Sequence, residues 1–314
     1  MNNGGSFKGT LQKIGPLLGL VLLVIVLTML NPSFLSLNNI FNVFRQVSIN
    51  ALIAFGMTFV ILTGGIDLSV GSTLALAGAL TAGFMSGGID PVLAMLLGLL
   101  AGALMGAFNG VVITKGKVAP FIATLATMTI FRGLTLVYTD GRPISDIPQN
   151  FSFEMMGQGY LFMIPFPVVT MFAAYVILYF VLKKTTFGRG VYAVGGNEEA
   201  SRLSGLRVDG IKIGVYSLTG MLSALAGIIL TSRLYSAQPT AGTMYELDAI
   251  AAVVLGGTSL TGGRGWIFGT LVGALIIGVL NNGLNLLNVA SFYQQVVKGA
   301  VILLAVMLDR KKEA

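Results

Sequence analysis

The chain contains no histidine and no cysteine in 314 residues, a single tryptophan, and charged residues amount to only 10%. Without a thiol or an imidazole, thiol catalysis, disulfide scaffolds and Cys/His metal sites are excluded. No paired carboxylates stand at catalytic spacing either, which leaves an intramembrane enzyme little chemistry. What fills the space is apolar. The mean hydropathy is +0.87, and runs of membrane-spanning length recur from about Ile14 to Leu308, each near the ~20 residues that a spanning helix needs. In lipid only helices and closed barrels satisfy their own backbone groups. The runs are long and rich in Leu, Ile, Val, Ala and Gly, not ten-residue alternating segments, so a barrel is excluded. The fold class is all-α, a polytopic helical membrane protein. The net charge of +7 would suit nucleic acid, but the basic residues are scattered between apolar spans, and that partner is excluded too.

Breaks at Gly, Pro and charge clusters predict about ten spans, at approximately 14–30, 43–63, 69–86, 91–113, 118–138, 163–182, 211–233, 246–263, 266–287 and 292–308. A signal peptide is the rival reading of Pro16–Leu30, but Asn31-Pro32-Ser33-Phe34 is no small-residue cleavage site, and a retained first helix is expected. Lys8, Lys13, Lys115, Lys117, Lys183, Lys184, Arg189, Arg202, Arg207, Lys212, Arg264, Arg310, Lys311 and Lys312 gather on one side if the N-terminus is inside. Only Arg45, Arg132, Arg142, Arg233 and Lys298 fall within spans or toward the outside. The asymmetry predicts that both termini are cytoplasmic. Gly256-Gly257 interrupts the eighth span, which predicts a bent or partly re-entrant helix. The whole chain, 1–314, reads as one transmembrane domain, with a cytoplasmic loop at 183–212 and an extracytoplasmic loop at 139–163.

Gly98, Gly102, Gly106 and Gly110 fall every four residues on one face of the fourth span, and Gly269 and Gly273 repeat the pattern in the ninth. Such stripes let backbones approach closely, either inside one bundle or between subunits. Residues 64–71 and 256–263 are faintly alike, two Gly-rich strings that each follow an apolar span. They read either as an internal repeat, as in many transporters, or as shared composition. The second string resembles a phosphate-cradling loop, but Gly263 stands where the Lys must be and Arg264 where the Ser/Thr must be. No nucleotide site follows from it, and any ATP must be bound by another subunit. Within 183–212, Asn197 is a good N-cap, Glu198 and Glu199 sit in the first turn, and Gly205 is a stop signal. Two turns are marginal alone, so this helix either presents a fixed shape or is an amphipathic connector on the membrane surface.

Gly195–Leu206 resembles the signature loop of permease subunits of sugar-importing ABC transporters. Ser236-Ala237-Gln238-Pro239-Thr240-Ala241-Gly242-Thr243, the following Glu246–Gly257, Asn281–Leu287 and Ile61–Gly71 resemble the same family, and the likeness runs from about Asn31 to Asp309. The resemblance implies a monosaccharide as cargo, ribose foremost. It implies a second permease copy, a cytoplasmic tandem-domain ATPase holding the ATP and Mg, and an extracytoplasmic sugar-binding protein, with no cofactor on this chain. On that reading Asn197, Glu198, Glu199, Arg202, Leu203, Ser204 and Gly205 form the helix that docks on the ATPase, with Leu203 as apolar anchor.

Ionisable groups within spans are costly and suspect. Arg45 either snorkels to the interface or serves function, and Arg132 either lines a path or donates to helix-end carbonyls. Asn281, Asn285 and Asn288 are spaced to share one helix face. Their amides would hydrogen-bond sugar hydroxyls or, alternatively, neighbouring helices. Asp67 and Asp248 both read as helix caps, with no carboxylate at mid-bilayer. Asp140, Arg142, Asp146 and Glu154 in the long outer loop are expected to pair with the binding protein.

Overall fold

The computed structural model describes residues 4–310, with side chains from residue 15 to 301 and at 303. The side chains of Lys8, Lys13 and Arg310, and the whole of Lys311 and Lys312, lie outside the described residues. The helices are α1 (Gly4–Leu30), α2 (Leu37–Leu62), α3 (Val70–Ser86), α4 (Pro91–Thr114), α5 (Pro120–Tyr138), α6 (Phe151–Gly157), α7 (Phe166–Lys184), α8 (Thr186–Gly196), α9 (Glu198–Leu203), α10 (Val208–Leu234), α11 (Tyr245–Leu255), α12 (Ile267–Leu286) and α13 (Ser291–Arg310). The strands are two residues each, β1 (Tyr160–Leu161) and β2 (Ile164–Pro165), paired as an antiparallel hairpin. Among the described residues, six helices are long and apolar enough to cross a membrane: α2, α4, α5, α7, α10 and α12. The protein is an all-α membrane protein.

The starts of these helices follow from their sequence. Asp90 accepts from the Val92 and Leu93 amides at 3.0 and 3.1 Å, and Pro91 follows in the first turn, where its missing N–H leaves nothing unpaired. Pro120 and Pro167 open α5 and α7 in the same way. From Ala51 to Leu62 α2 is apolar on nearly every face and buried throughout. That stretch belongs at the centre, and α7, α8, α10, α11 and α12 pack around α2. α4, α5 and α7 turn Leu96, Leu100, Leu104, Ile122, Ile130 and Val176 outward. In water these would be a liability; in lipid they face their own kind.

The glycine stripe of α4 is resolved as packing inside the bundle. A Cβ at Gly102 would overlap Ala224, one at Gly106 would overlap the Tyr216 carbonyl oxygen, and Gly220 of α10 is closed in turn by Gly102. Gly98 and Gly110 abut Thr81 and Ile213. Gly269 and Gly273 likewise let α12 close on Gly256 and Ala252.

Four expectations are corrected. The eighth span is not one helix: α11 has only 11 residues, and irregular backbone from Tyr235 to Met244 precedes it. The 183–212 loop holds a further helix, α8, besides the short capped one. Asp248 is no cap, because α11 begins after Met244 without a side-chain cap and Asp248 instead meets Lys298 of α13 at 3.1 Å. Asp67 likewise does not cap α3, whose N-cap position is Ser69 without a side-chain cap; the Asp67 Oδ1 accepts from the Ser69 amide at 2.9 Å and the Ser69 hydroxyl at 2.7 Å, in the turn ahead of the helix.

Candidate functional site

The irregular segment 235–244 leaves the end of α10 and runs into the bundle interior. Left-handed backbone at Tyr235, Gly242 and Met244 (φ 51, 72 and 72°) bends it, and Gly242 lies so close to Gly71 of α3 that neither tolerates a Cβ. Its carbonyls have no helix to join, and broken backbone at membrane depth survives only where protein or a cavity satisfies it. Arg132 supplies that need: one guanidinium nitrogen, Nη1, donates to the carbonyls of Pro239 at 2.6 Å and Ala241 at 2.8 Å. Of the two readings open for Arg132, donation to carbonyls is the observed one.

α11 therefore starts inside the bundle with Glu246 and Asp248 in its first turn. Asp248 is buried and ion-paired to Lys298, whose side chain is 22% exposed. Asp67 and Asp248 are both buried, so carboxylates do stand within the bundle. The three candidate asparagines do not act as one face. Asn281 has a buried Oδ1 without a partner among the described residues, Asn285 accepts from Gln294 at 2.8 Å, and Asn288 falls beyond α12 with left-handed backbone (φ 53°). Asn282 is the amide that joins helices, exchanging two 2.9 Å bonds with Asn39 of α2.

On the basic face the two Gly-rich strings meet. The Gly263 amide donates to the Leu62 carbonyl at 3.0 Å, Gly64 and Gly262 are left-handed (φ 78 and 88°), and Gly195 of α8 fits against Leu62 only because it lacks a side chain. Beside this junction stands α9. Asn197 Oδ1 accepts from the Ala200 amide at 2.8 Å, and Gly205 is left-handed (φ 83°), so the local specification is as expected. Its side chains divide differently. Leu203 is 84% exposed and Glu199 is exposed, as a docking surface would have them. Glu198 and Arg202, expected to face a partner, are engaged at home. Lys212 meets Glu198 at 2.5 Å, and Arg202 meets Asp209 at 2.9 Å and Glu198 at 3.5 Å. Lys115, at the end of α4, meets Asp209 from the other side at 2.8 Å. The Asp209 hydrogen bond is the largest of the influences that raise the Arg202 pKa. Sequence reasoning missed Asp209: an acid in the first turn of α10 looks like an ordinary helix-dipole residue.

On the opposite face Asp140, Arg142 and Asp146 are exposed. Glu154 accepts from the Tyr235 hydroxyl at 3.0 Å, so it is committed within the chain. Arg45 binds the Tyr160 hydroxyl and lies 4.9 Å from that ring's centroid, which ties α2 to the hairpin.

A bundle of spanning helices with a broken, charge-bearing segment in its interior and a small capped helix on its basic face defines a membrane transport subunit. The chain belongs to the family described as branched-chain amino acid transport system / permease component, which it matches over residues 39–306. It is 68% identical to the ribose import permease protein RbsC of Bacillus subtilis (strain 168), over 98% of this chain and 96% of that one. The ribose import permease of Escherichia coli (strain K12) is 53% identical over 98% and 96%, and the D-allose transport system permease of the same strain 42% over 95% and 92%. No solved structure matches the chain significantly. The protein is a multi-pass permease of the bacterial inner membrane.

Proposed function

We propose that this chain is the permease subunit of an ATP-driven importer that carries ribose, delivered by an extracytoplasmic binding protein. The carrying observation is the identity gap, 68% to a ribose permease against 42% to a D-allose permease, each along nearly the whole chain. The family's description speaks of branched-chain amino acids, but the relatives at high identity bear sugar names. The interior segment 235–244 with α11 is the element whose rearrangement opens the path. Asn281 is the amide left to meet a passing hydroxyl, while Arg132 holds the segment in place.

The basic face is cytoplasmic, both termini lie there, and α1, α2, α3, α4, α5, α7, α10, the broken 235–255 stretch, α12 and α13 make about ten crossings of a single domain. Two copies form the path. A separate tandem-domain ATPase binds ATP and Mg and docks on Glu199 and Leu203 of α9. The exposed Asp140, Arg142 and Asp146 receive the binding protein.

The experiment is ribose uptake by proteoliposomes holding the permease, its ATPase and the binding protein. Uptake should need enclosed ATP and the binding protein, and excess unlabelled ribose should compete better than allose. Uptake that survives ATP depletion but collapses with an uncoupler would make this an ion-coupled carrier and overturn the proposal. Because the chain has no cysteine, single cysteines at Asp140 and Glu199 should label with impermeant maleimide from opposite sides of the membrane.

A further inference from the structure

Glu198 and Arg202, whose side chains remain 46% and 56% exposed, are tied into an ion-pair chain that crosses three elements. It runs Lys115 (end of α4) to Asp209 (α10), Asp209 to Arg202 (α9), Arg202 to Glu198 (α9) and Glu198 to Lys212 (α10), with separations of 2.8, 2.9, 3.5 and 2.5 Å. We propose that Asp209 is the joint of a clamp through which α9 moves α4 and α10 together, and that it is a positioning residue for coupled transport. The transport half of this inference rests on the importer reading above.

Three observations support it. First, α9 has only 6 residues, too few to hold a helical shape or a fixed position alone. Second, the space between α9 and the α4–α5 turn is not packed: Lys115, Lys117, Glu198, Arg202, Asp209 and Lys212 line a cavity of about 780 Å³ there. The tie across that space to α4 is therefore the Asp209 carboxylate, which bonds Lys115 on one side and Arg202 on the other. Single exposed ion pairs are weak, but these share members, and the Asp209 and Lys212 side chains are only 25% and 14% exposed. Third, what the clamp grips is stiff. α4 and α10 are closed on each other at Gly102, Gly106 and Gly220 with no room for a side chain, so they move as one body. The far end of α10, at Leu234, leads directly into the 235–244 segment that Arg132 holds. A push on α9 thus reaches the broken interior segment along one helix.

The test uses Asp209→Asn, which keeps the size and removes the charge, and Asp209→Glu, which keeps the charge. Backbone hydrogen exchange is measured across residues 198–204 of the full-length permease, and ribose taken up per ATP hydrolysed is measured in the reconstituted transporter. In Asp209→Asn, exchange should rise about fivefold, equivalent to about 1 kcal/mol, and the uptake ratio should fall by a similar factor while the ATPase still co-purifies. Asp209→Glu should stay within about twofold of the parent in both. Unchanged exchange in Asp209→Asn would show that no clamp exists. Raised exchange with an unchanged uptake ratio would show that the clamp carries no coupling. Should the parent transporter move no ribose at all, the importer reading fails, and the exchange measurement still decides the clamp.

Discussion

At Arg132 a single side chain does what a turn of helix would otherwise do. Two carbonyls of the segment 235–244, those of Pro239 and Ala241, belong to no helix, and each such group left alone within a bundle costs about 1–3 kcal/mol. The guanidinium satisfies both from one nitrogen and brings its own charge close to Glu246. Arg132→Met keeps the stem and removes both bonds, so ribose uptake should drop at least about tenfold, the equivalent of losing one charged hydrogen bond of about 1.5 kcal/mol or more. The variant should still elute as a folded permease, because the bundle's apolar packing is untouched. Arg132→Lys, with donors but no planar fork, should fall between. Full uptake in Arg132→Met would return this residue to a bystander. The Asp248–Lys298 pair belongs to the same scale, a buried ion pair whose two members come from different helices and so fix α13 against α11.

Among the elements, the α4–α10 pair shows how glycine's effect depends on what lies opposite. Replacing Gly by Ala in an exposed helix position usually stabilises by up to about 1 kcal/mol. Gly133→Ala in α5, with nothing within 4 Å of the new methyl, should follow that rule. Gly106→Ala should reverse it, because the methyl would overlap the Tyr216 carbonyl, and overpacking costs about 1–3 kcal/mol. Thermal melting of the two variants in detergent should move in opposite directions; equal shifts would contradict the close packing. The stripe itself was legible in the sequence, since a four-residue spacing needs only counting, and so were six long spans and the cap of α9. Which reading of the stripe held was not legible, because a close-packing face does not name its partner. The broken eighth span was half legible. Gly256-Gly257 announced its end, but nothing in Ser236–Thr243 announced that the chain would pass through the interior without a helix, since its carbonyls are satisfied by Arg132 over 100 residues earlier. α8 was hidden by Gly188, Gly190, Gly195 and Gly196, residues that read as loop; the first three are needed for contact with Leu182, Ile211 and Leu62. The pairing of Glu198 and Arg202 was not legible for a similar reason: helical spacing places a charge on a helix, but its ion-pair partners sit on α10, 14 and 7 residues away.

For the molecule as a whole, the two faces are built for different partners, and α9 is the part of the basic face with side chains to spare. Beside the exposed but ion-paired Glu198 and Arg202, α9 offers outward Glu199 and Leu203, one charge and one apolar side chain at 84% exposure. A large apolar residue held out on a capped helix, with its charged neighbours tied back, is arranged for burial in a partner's groove, where truncating such an anchor typically costs about 2 kcal/mol or more. Glu199→Lys with Leu203→Asp removes both outward features and touches neither the clamp nor the Asn197 cap. The double variant should lose the ATPase on co-purification and lose ribose uptake by at least about thirtyfold, the equivalent of 2 kcal/mol. Its hydrogen exchange across 198–204 should stay that of the parent, which separates it from Asp209→Asn, where the helix loosens but the ATPase stays. A double variant that retained both the ATPase and uptake would make α9 a connector on the membrane surface, and the docking face would have to be sought elsewhere, first at the Gly64–Gly262 junction beside it.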